Sequence, residues 1–93
     1  MTDRVIDIGD ASVRLRVDLD RLVIEPPDAP AVLIPLDEVA AVVASNHGMT
    51  LTQNVLARLA ARGGIFVVMD ERFAPAAMLL PLDTHSTQAA RIR

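Results

Sequence analysis

The sequence predicts an α+β fold: a small β-rich domain of about six to seven strands, with one amphipathic helix and the start of a second. Apolar and charged residues alternate from Val13 to Asp18, which is typical of a strand with one buried face. Apolar residues recur at helical spacing over about 51–62, and Gly63-Gly64 follows as a stop. A chain of 93 residues has room for one such domain and no second core.

The first part of the chain contains four strand candidates separated by turn-forming residues. The candidates are residues 5–8, 13–17, 22–24 and 32–34. Gly9-Asp10 fits a two-residue hairpin between the first two candidates, because both residues tolerate a positive φ. The segment Asp18 to Arg21 provides the next turn. Three prolines between residues 25 and 30 cannot donate to a ladder, so they predict an irregular connection.

The middle of the chain predicts a βαβ unit. Val39–Ala44 is an apolar run that fits either a buried strand or a short helix, and its adjacent valines favour the strand. The helix over 51–62 has Thr50 or Thr52 as its N-cap. Ile65–Met69 is a second apolar run of strand length. Strand, helix and strand in succession predict a right-handed unit with parallel strands, and a last strand is expected at 76–80.

The carboxyl end has the features of a helix that begins and then stops. Thr84 and Ser86 are N-cap candidates, and strong helix formers follow up to Arg93. A helix of about two turns is marginal alone, because nucleation is costly. We therefore expect a β-rich domain over 1–83 and the start of a linker helix over 84–93, in a chain truncated from a longer protein.

Composition excludes several classes of function. The chain has nine arginines, no lysine and twelve acids, and its net charge of -3 is the wrong sign for a domain whose only role is to hold duplex DNA. It has no cysteine, which excludes disulfides and thiol chemistry and is compatible with a reducing cytoplasm. No signal peptide and no apolar stretch of about 20 residues is present, so we expect a soluble cytoplasmic protein without membrane contact.

Catalytic and metal motifs are weak. His47, Asp70, Glu71 and His85 are the obvious metal ligands, but no pair has the spacing of ligands on one helix, and all lie in predicted turns. Ser45 or Ser86 lacks the Gly-x-Ser-x-Gly context of a nucleophile elbow. Gly63-Gly64 follows a helix, which is the reverse of the order that phosphate binding needs. We expect no catalytic residue and no metal site in this chain.

A local contact with DNA is the remaining candidate. Asn46 and His47 lie in the loop before the helix, while Arg58 and Arg62 lie on one face of it. We predict these four as DNA-binding residues. The alternative is a solvated helix face in a protein that uses arginine in place of lysine. Arg14 and Arg16 are assigned to the exposed face of a strand.

Several phrases, in this order, carry a resemblance to a known family. They are RVIDI (4–8), LVIE (22–25), IPLDEVA (34–40), MTLT (49–52), FVVMDE (66–71) and LLPL (79–82), which leads to HSTQAARIR (85–93). Together they resemble the amino-terminal β-domain of the CRISPR-associated integrase family called "Cas one", particularly its type II form. The resemblance covers essentially the whole chain, and its specificity comes from the order and spacing of the phrases.

The resemblance implies a β-domain linked near Thr84 to a larger helical domain that inserts short DNA fragments into a CRISPR array. It also implies a homodimer formed largely through the β-domain, and assembly with DNA and the small partner "Cas two". The catalytic glutamate, histidine and aspartate of the family bind a divalent metal, Mg or Mn, in the helical domain. None of them maps onto residues 1–93, so this chain would hold no cofactor and would serve dimerisation and the positioning of DNA and partner.

Two other functions remain open from the sequence. A stand-alone dimeric binding or regulatory domain would pair through an exposed strand edge and need no downstream sequence. A small hydrolase that uses His47 and nearby acids ranks last, because two loop residues do not specify catalytic geometry.

Overall fold

A computed structural model describes residues 3–82, and in that range the chain forms an α+β domain of eight strands and one α-helix. The strands are β1 (Arg4–Ile8), β2 (Arg14–Asp18), β3 (Arg21–Glu25), β4 (Val32–Pro35), β5 (Val39–Ala44), β6 (Thr50–Leu51), β7 (Ile65–Met69) and β8 (Pro75–Leu79). The helix is α1 (Gln53–Ala61), and a 3-10 turn occupies Leu36–Glu38.

The predicted fold class is confirmed. The strand count exceeds the prediction because β6 has only two residues, which is too short for a period-two pattern to show. The run at 39–44, which also fitted a short helix, is a strand. The linker helix expected over 84–93 and the boundary at 83 lie outside the described residues. Within residues 3–82, no helix has the length and apolar character needed to cross a bilayer.

The strands form two four-stranded sheets. The first sheet has the order β1-β5-β7-β8, and the second sheet has the order β4-β3-β2-β6. In the first sheet β5 pairs in parallel with β7, so the predicted strand-helix-strand unit with parallel strands is confirmed. β8 then pairs antiparallel with β7 at the edge of this sheet. The β2–β3 hairpin turns at Leu19 and Asp20, both with positive φ, in the segment where a turn was predicted.

The hairpin predicted between β1 and β2 is wrong. β1 pairs in parallel with β5, where Ile6 lies opposite Val42 and Ile8 lies opposite Ala44. The Gly9-Asp10 segment instead begins a connection from the first sheet to the second, and Ser12 takes the positive φ of 65° within it. The physical reason is that β5 is apolar throughout and needs a neighbour on each side, which a hairpin of β1 with β2 would not supply.

The helix begins later than predicted, because Leu51 belongs to β6 and lies opposite Leu15 of β2. The helix ends just before the two glycines, as they predict. Gly63 has a φ of 82° and donates its N–H to Ala60 O at 2.9 Å. Gly64 donates to Leu59 O at 2.9 Å. This pair of bonds is the Schellman motif, which satisfies carbonyls at the helix end.

The core lies between the first sheet on one side and α1 with the second sheet on the other. It is aliphatic except for Phe66. The buried cluster consists of Ile8, Val13, Leu15, Leu22, Ile34, Leu36, Val39, Val42, Ala44, Val55, Leu59 and Phe66. In residues 3–82 no polar or charged residue is buried, so every ionisable group of this part that could serve a function lies at or near the surface.

Candidate functional site

Asn46 and His47 lie in the loop between β5 and β6, and their side chains hold that loop to its neighbours. Asn46 Nδ2 donates to Gly9 O at 3.2 Å, and its Oδ1 accepts from Gly48 N at 2.7 Å. His47 Nε2 lies 3.0 Å from Met69 O. Because a carbonyl oxygen only accepts, this bond places a proton on Nε2 and leaves Nδ1 unassigned. The loop therefore connects the ends of β1 and β7.

The turn between β7 and β8 lies next to His47. Asp70 Oδ1 accepts from the backbone N–H of Arg72 at 2.8 Å and from that of Ala74 at 3.0 Å. The two bonds, with that from Ala74 the stronger influence, lower the pKa of the Asp70 carboxyl, and the nearby His47 acts in the same direction. His47 and Asp70 line an open depression of about 300 Å³ with Glu71 and Arg72. The Asp70 carboxylate thus stabilises the turn between β7 and β8.

A second charged group joins α1 to the second sheet; we call it the helix ion-pair cluster (Arg58, Arg62, Asp20, Asp37). Arg58 pairs with Asp20 in the β2–β3 turn. Arg62 Nη2 lies 3.1 Å from Asp20 Oδ2, and Nη1 pairs with Asp37 of the 3-10 turn. The sequence shows the two arginines on one helix face, but it carries no local signal for acids this distant along the chain.

The structure does not bring the four predicted DNA-binding residues into one cluster. Asn46 follows the end of β5, while Asp37, the partner of Arg62, precedes its beginning. A strand of six residues spans roughly 17–20 Å at about 3.3 Å per residue. Arg58 and Arg62 therefore share a site with each other, and Asn46 and His47 share one at the opposite end of the first sheet. Contact with DNA at either place stays a prediction.

Three arginines occupy the outer face of the second sheet. Arg14 and Arg16 are exposed on β2, as predicted, and Arg21 of β3 faces the same side. Arg16 Nε lies 3.2 Å from Glu25 Oε2. In residues 3–82 neither Arg14 nor Arg21 forms a salt bridge. Sequence reasoning missed Arg21, because only the hairpin register places it beside β2.

The described residues contain no group of three or more His, Cys, Asp or Glu side chains that could hold a metal ion. His85, one of the four ligand candidates, lies outside the described residues. His47, Asp70 and Glu71 do lie near one another, but Asp70 is engaged by the backbone of its own turn. Ser45 Oγ, a candidate nucleophile, donates to Asp7 Oδ1 at 2.9 Å, whereas His47 bonds to Met69 O instead.

Comparison with known proteins gives the fold a context. No protein-family model matches the chain. No curated protein matches it by sequence. Solved structures do match.

Structures of Cas1 proteins are among these matches. A chain of a Cas6-RT-Cas1–Cas2 complex matches with a TM-score of 0.75 and 15% identity, over 87% of this chain and 9% of that one. A CAS1 protein from Thermotoga maritima matches with a TM-score of 0.73 and 12% identity, over 87% of this chain and 26% of that one. A TtCas1–DNA complex matches with a TM-score of 0.68 and 17% identity, over 88% and 27%.

This chain therefore spans only 9–27% of the length of these three chains. Identities of 12–17% establish likeness of fold and nothing finer. The fold is nevertheless the one that the resemblance in the sequence predicted: the β-rich domain has the fold of the amino-terminal β-domain of Cas1 proteins.

Proposed function

We propose that the chain is the amino-terminal module of a CRISPR adaptation integrase, and that it dimerises and positions DNA and a partner protein for a separate catalytic domain. One observation carries the proposal: the fold matches Cas1 chains over 87% or more of this chain, after the sequence phrases had pointed to the same family. Of the three structures compared above, one is a complex that includes Cas2 and one is a complex with DNA.

The residues present support this division of labour. Asp70 and His47 are engaged in a turn and a loop, and Asp20 and Asp37 are engaged in ion pairs with the helix arginines. The chemistry of the integrase would come from a helical domain that binds Mg or Mn, and residues 1–93 would hold no metal. The proposed place of action is the cytoplasm, with which the absence of cysteine is compatible.

The proposed DNA contacts are Asn46 and His47 at one end of the first sheet and Arg58 and Arg62 at the other. Each helix arginine already has a carboxylate partner, so a phosphate would have to replace Asp20 or Asp37. Such an exchange costs little, because exposed ion pairs contribute about 0–1 kcal/mol. Phosphate contacts of this kind give binding that falls steeply with salt.

DNA binding by the 93-residue chain tests this part of the proposal. The measurement is fluorescence anisotropy of a labelled short duplex with single-stranded ends, titrated at several salt concentrations. We expect weak, salt-sensitive binding, and the double change Arg58→Ala with Arg62→Ala should flatten the salt dependence by about one unit of slope per lost phosphate contact.

Arg4→Ala is the matched control for this titration. Arg4 is exposed to the same extent as Arg58, at 45% for each side chain, and it also pairs with one acid. Losing the helix arginines should therefore affect binding, while losing Arg4 should not. Equal effects of the two changes, or the absence of binding at low salt, would count against a DNA contact on α1.

A stand-alone dimeric binding or regulatory domain is the second candidate. One observation favours it: β8 offers an exposed edge without any charged residue, which could pair with another chain whether or not a catalytic domain is attached. It differs from the first candidate in predicting no strand transfer when the chain is joined to a catalytic helical domain.

A further inference from the structure

We propose that the outer face of the second sheet binds an extended segment of a partner protein, in which two acidic side chains flank an apolar one in the order acid-x-apolar-x-acid. The inference deepens the positioning of a partner in the proposed function and rests on it for its biological role. It comes from the side chains that alternate outward along β2, β3 and β4.

The register of these three strands arranges the outward side chains in three rows across the sheet. The first row has one arginine and one acid, the middle row has an arginine beside two apolar residues, and the third row has an acid, an arginine and a proline. We call this surface the arginine face. Row by row, its residues are Arg14 and Glu25; Arg16, Val23 and Leu33; and Asp18, Arg21 and Pro35.

Two of the three arginines on the arginine face have no acid partner within residues 3–82. Arg16 Nε lies 3.2 Å from Glu25 Oε2, whereas neither Arg14 nor Arg21 forms a salt bridge in this part of the chain. The buried Arg21 Nε also has no hydrogen-bond partner there. Guanidinium groups bind carboxylates through paired hydrogen bonds, and arginine is enriched at protein interfaces. Arg14 and Arg21 are therefore the two contact points for acidic side chains.

The middle row supplies an apolar contact between the two charged ones. Val23 is only 1% exposed although it lies outside the core cluster, so side chains of the arginine face cover it. Leu33, which lies opposite Val23 on β4, is 45% exposed. An apolar side chain of a partner placed over this row would remove the exposed part of Leu33 from water.

The spacing of the contact points fits an extended segment. Alternate residues of a strand are about 6.8 Å apart, and neighbouring strands are about 4.8 Å apart. Arg14 and Arg21 are two rows and one strand apart, so their Cα atoms are separated by about 14 Å. An extended partner covers about 13–14 Å in four residues, and its residues i, i+2 and i+4 point to the same side. Acids at i and i+4 with an apolar residue at i+2 therefore match the three rows.

Charge distinguishes such a segment from other occupants of the arginine face. Duplex DNA carries one negative charge about every 1.7 Å of its axis, so its backbone would also meet Asp18 and Glu25. The three arginines and two acids leave the face with one net positive charge, so two copies of the chain would bring like charges together. A segment with acids at only two positions meets the two arginines and avoids both repulsions.

The first test is an NMR titration of the isotopically labelled 93-residue chain with a synthetic nine-residue peptide. The peptide has glutamate at its third and seventh positions, leucine at its fifth and serine elsewhere. We expect saturable shifts confined to β2, β3 and β4, with a dissociation constant below about 1 mM. The double change Arg14→Ala with Arg21→Ala should weaken binding about fivefold to tenfold, because two exposed ion pairs are lost.

The matched control is the double change Arg4→Ala with Arg72→Ala, which removes the same charge from two exposed positions away from the arginine face. Binding of the peptide should not change. Shifts that do not saturate, shifts centred on another surface, or equal effects of the two double changes would overturn the proposal.

Changes in the peptide keep the proposal falsifiable if a protein variant fails to fold. Glutamine in place of both glutamates should weaken binding as much as the loss of Arg14 and Arg21 does. Moving the second glutamate by one position turns it to the opposite side of an extended segment, so binding should weaken there too. Equal binding of the native and the shifted peptide would contradict the match to three rows.

Two further measurements identify the other occupants. A single-stranded oligonucleotide that shifts the arginine face at lower concentration than the peptide does would assign this surface to DNA. Shifts of the arginine face that depend on protein concentration without peptide would assign it to a second copy. Either result would overturn the proposal.

The peptide titration involves no strand transfer, so its failure is distinct from failure of the integrase proposal. Peptide binding by a chain that supports no DNA insertion would preserve the docking surface and remove its proposed role. DNA insertion with an arginine face that binds no acidic segment would do the opposite.

Discussion

The junction between α1 and β7 allows one packing contact to be tested in detail. A Cβ atom at Gly64 would lie 2.5 Å from Leu59 Cδ1, 2.9 Å from Leu59 Cγ and 3.2 Å from Val39 O. Favourable contacts between carbon atoms lie at about 3.5–4.0 Å. Leu59 is fully buried in a close-packed core, and Val39 O belongs to the backbone, so neither neighbour can retreat freely.

The expected result for Gly64→Ala is a loss of stability. Overpacking a core costs about 1–3 kcal/mol, and replacing glycine by alanine returns about 0.4–1 kcal/mol through the unfolded state. The net loss therefore centres on about 1.3 kcal/mol, between limits of about 0 and 2.6 kcal/mol. For a domain of this size each kcal/mol lowers Tm by about 4–8 °C, so the central loss should lower the melting temperature by roughly 5–10 °C.

Gly9→Ala is the matched control. A Cβ at Gly9 would meet no heavy atom within 4 Å, and Gly9 does not have a positive φ. With no new contact to oppose it, this change should stabilise the domain by about 0.4–1 kcal/mol through the unfolded state alone. Both variants are measured by urea unfolding followed by circular dichroism, where an unchanged slope shows that stability alone has altered.

A double-mutant cycle separates the contact from general effects of the substitution. Leu59→Ala alone should cost about 2–5 kcal/mol, because it leaves a cavity. In the double variant the new methyl group at position 64 enters that space. The stability losses of the two single variants, added together, should therefore exceed the loss of the double variant by about 0.5–3 kcal/mol. Strict additivity, or a Gly64→Ala variant as stable as the Gly9→Ala variant, would refute the packing argument.

Three further predictions concern the turns and the helix ion-pair cluster. Leu19→Asn should stabilise the domain by about 0.5–1 kcal/mol in urea unfolding, because Leu19 has a φ of 52° that asparagine tolerates, whereas Leu33→Asn in a strand should destabilise it. The pKa of the Asp70 carboxyl, followed by NMR, should lie below the usual aspartate value of about 3.9. The ionised carboxyl therefore stabilises the folded state fully above the usual aspartate pKa, and this stability is lost as the pH falls through the folded-state pKa. Arg62→Ala should cost about 0.5–1 kcal/mol and less in high salt, and an unchanged melting temperature would show that its two ion pairs contribute nothing.

Local patterns in the sequence were sufficient for the helix, its end and the parallel strands around it. The two glycines after α1 form the bonds that their position predicts, since the signal and the structure involve the same few residues. The apolar runs of β5 and β7 likewise predict a sheet interior. These features depend on the spacing of apolar residues and on the residues that end a helix, both of which can be read from a single sequence.

Pairings distant in sequence could not be derived in the same way. Gly9-Asp10 is a good local signal for a hairpin. The pairing of β1 is decided instead by β5, which needs a second neighbouring strand, and nothing in the Gly9-Asp10 segment indicates that need. The acids that meet Arg58 and Arg62 come from two separate turns, which only the assembled sheets bring to the helix. The separation of the four candidate DNA-binding residues between two ends of a sheet could not be predicted for the same reason, because it depends on contacts between residues distant in sequence.

The measurement that tests the central claim most directly is strand transfer by a chimeric integrase. Residues 1–93 would replace the β-rich domain of the Thermotoga maritima CAS1 protein, which is similar in fold. The assay would supply Mg or Mn and follow insertion of a labelled short duplex into a repeat-containing plasmid. We predict insertion by the chimera and none by the helical domain alone. A folded chimera without insertion where the native protein is active, or equal insertion by the helical domain alone, would contradict the account.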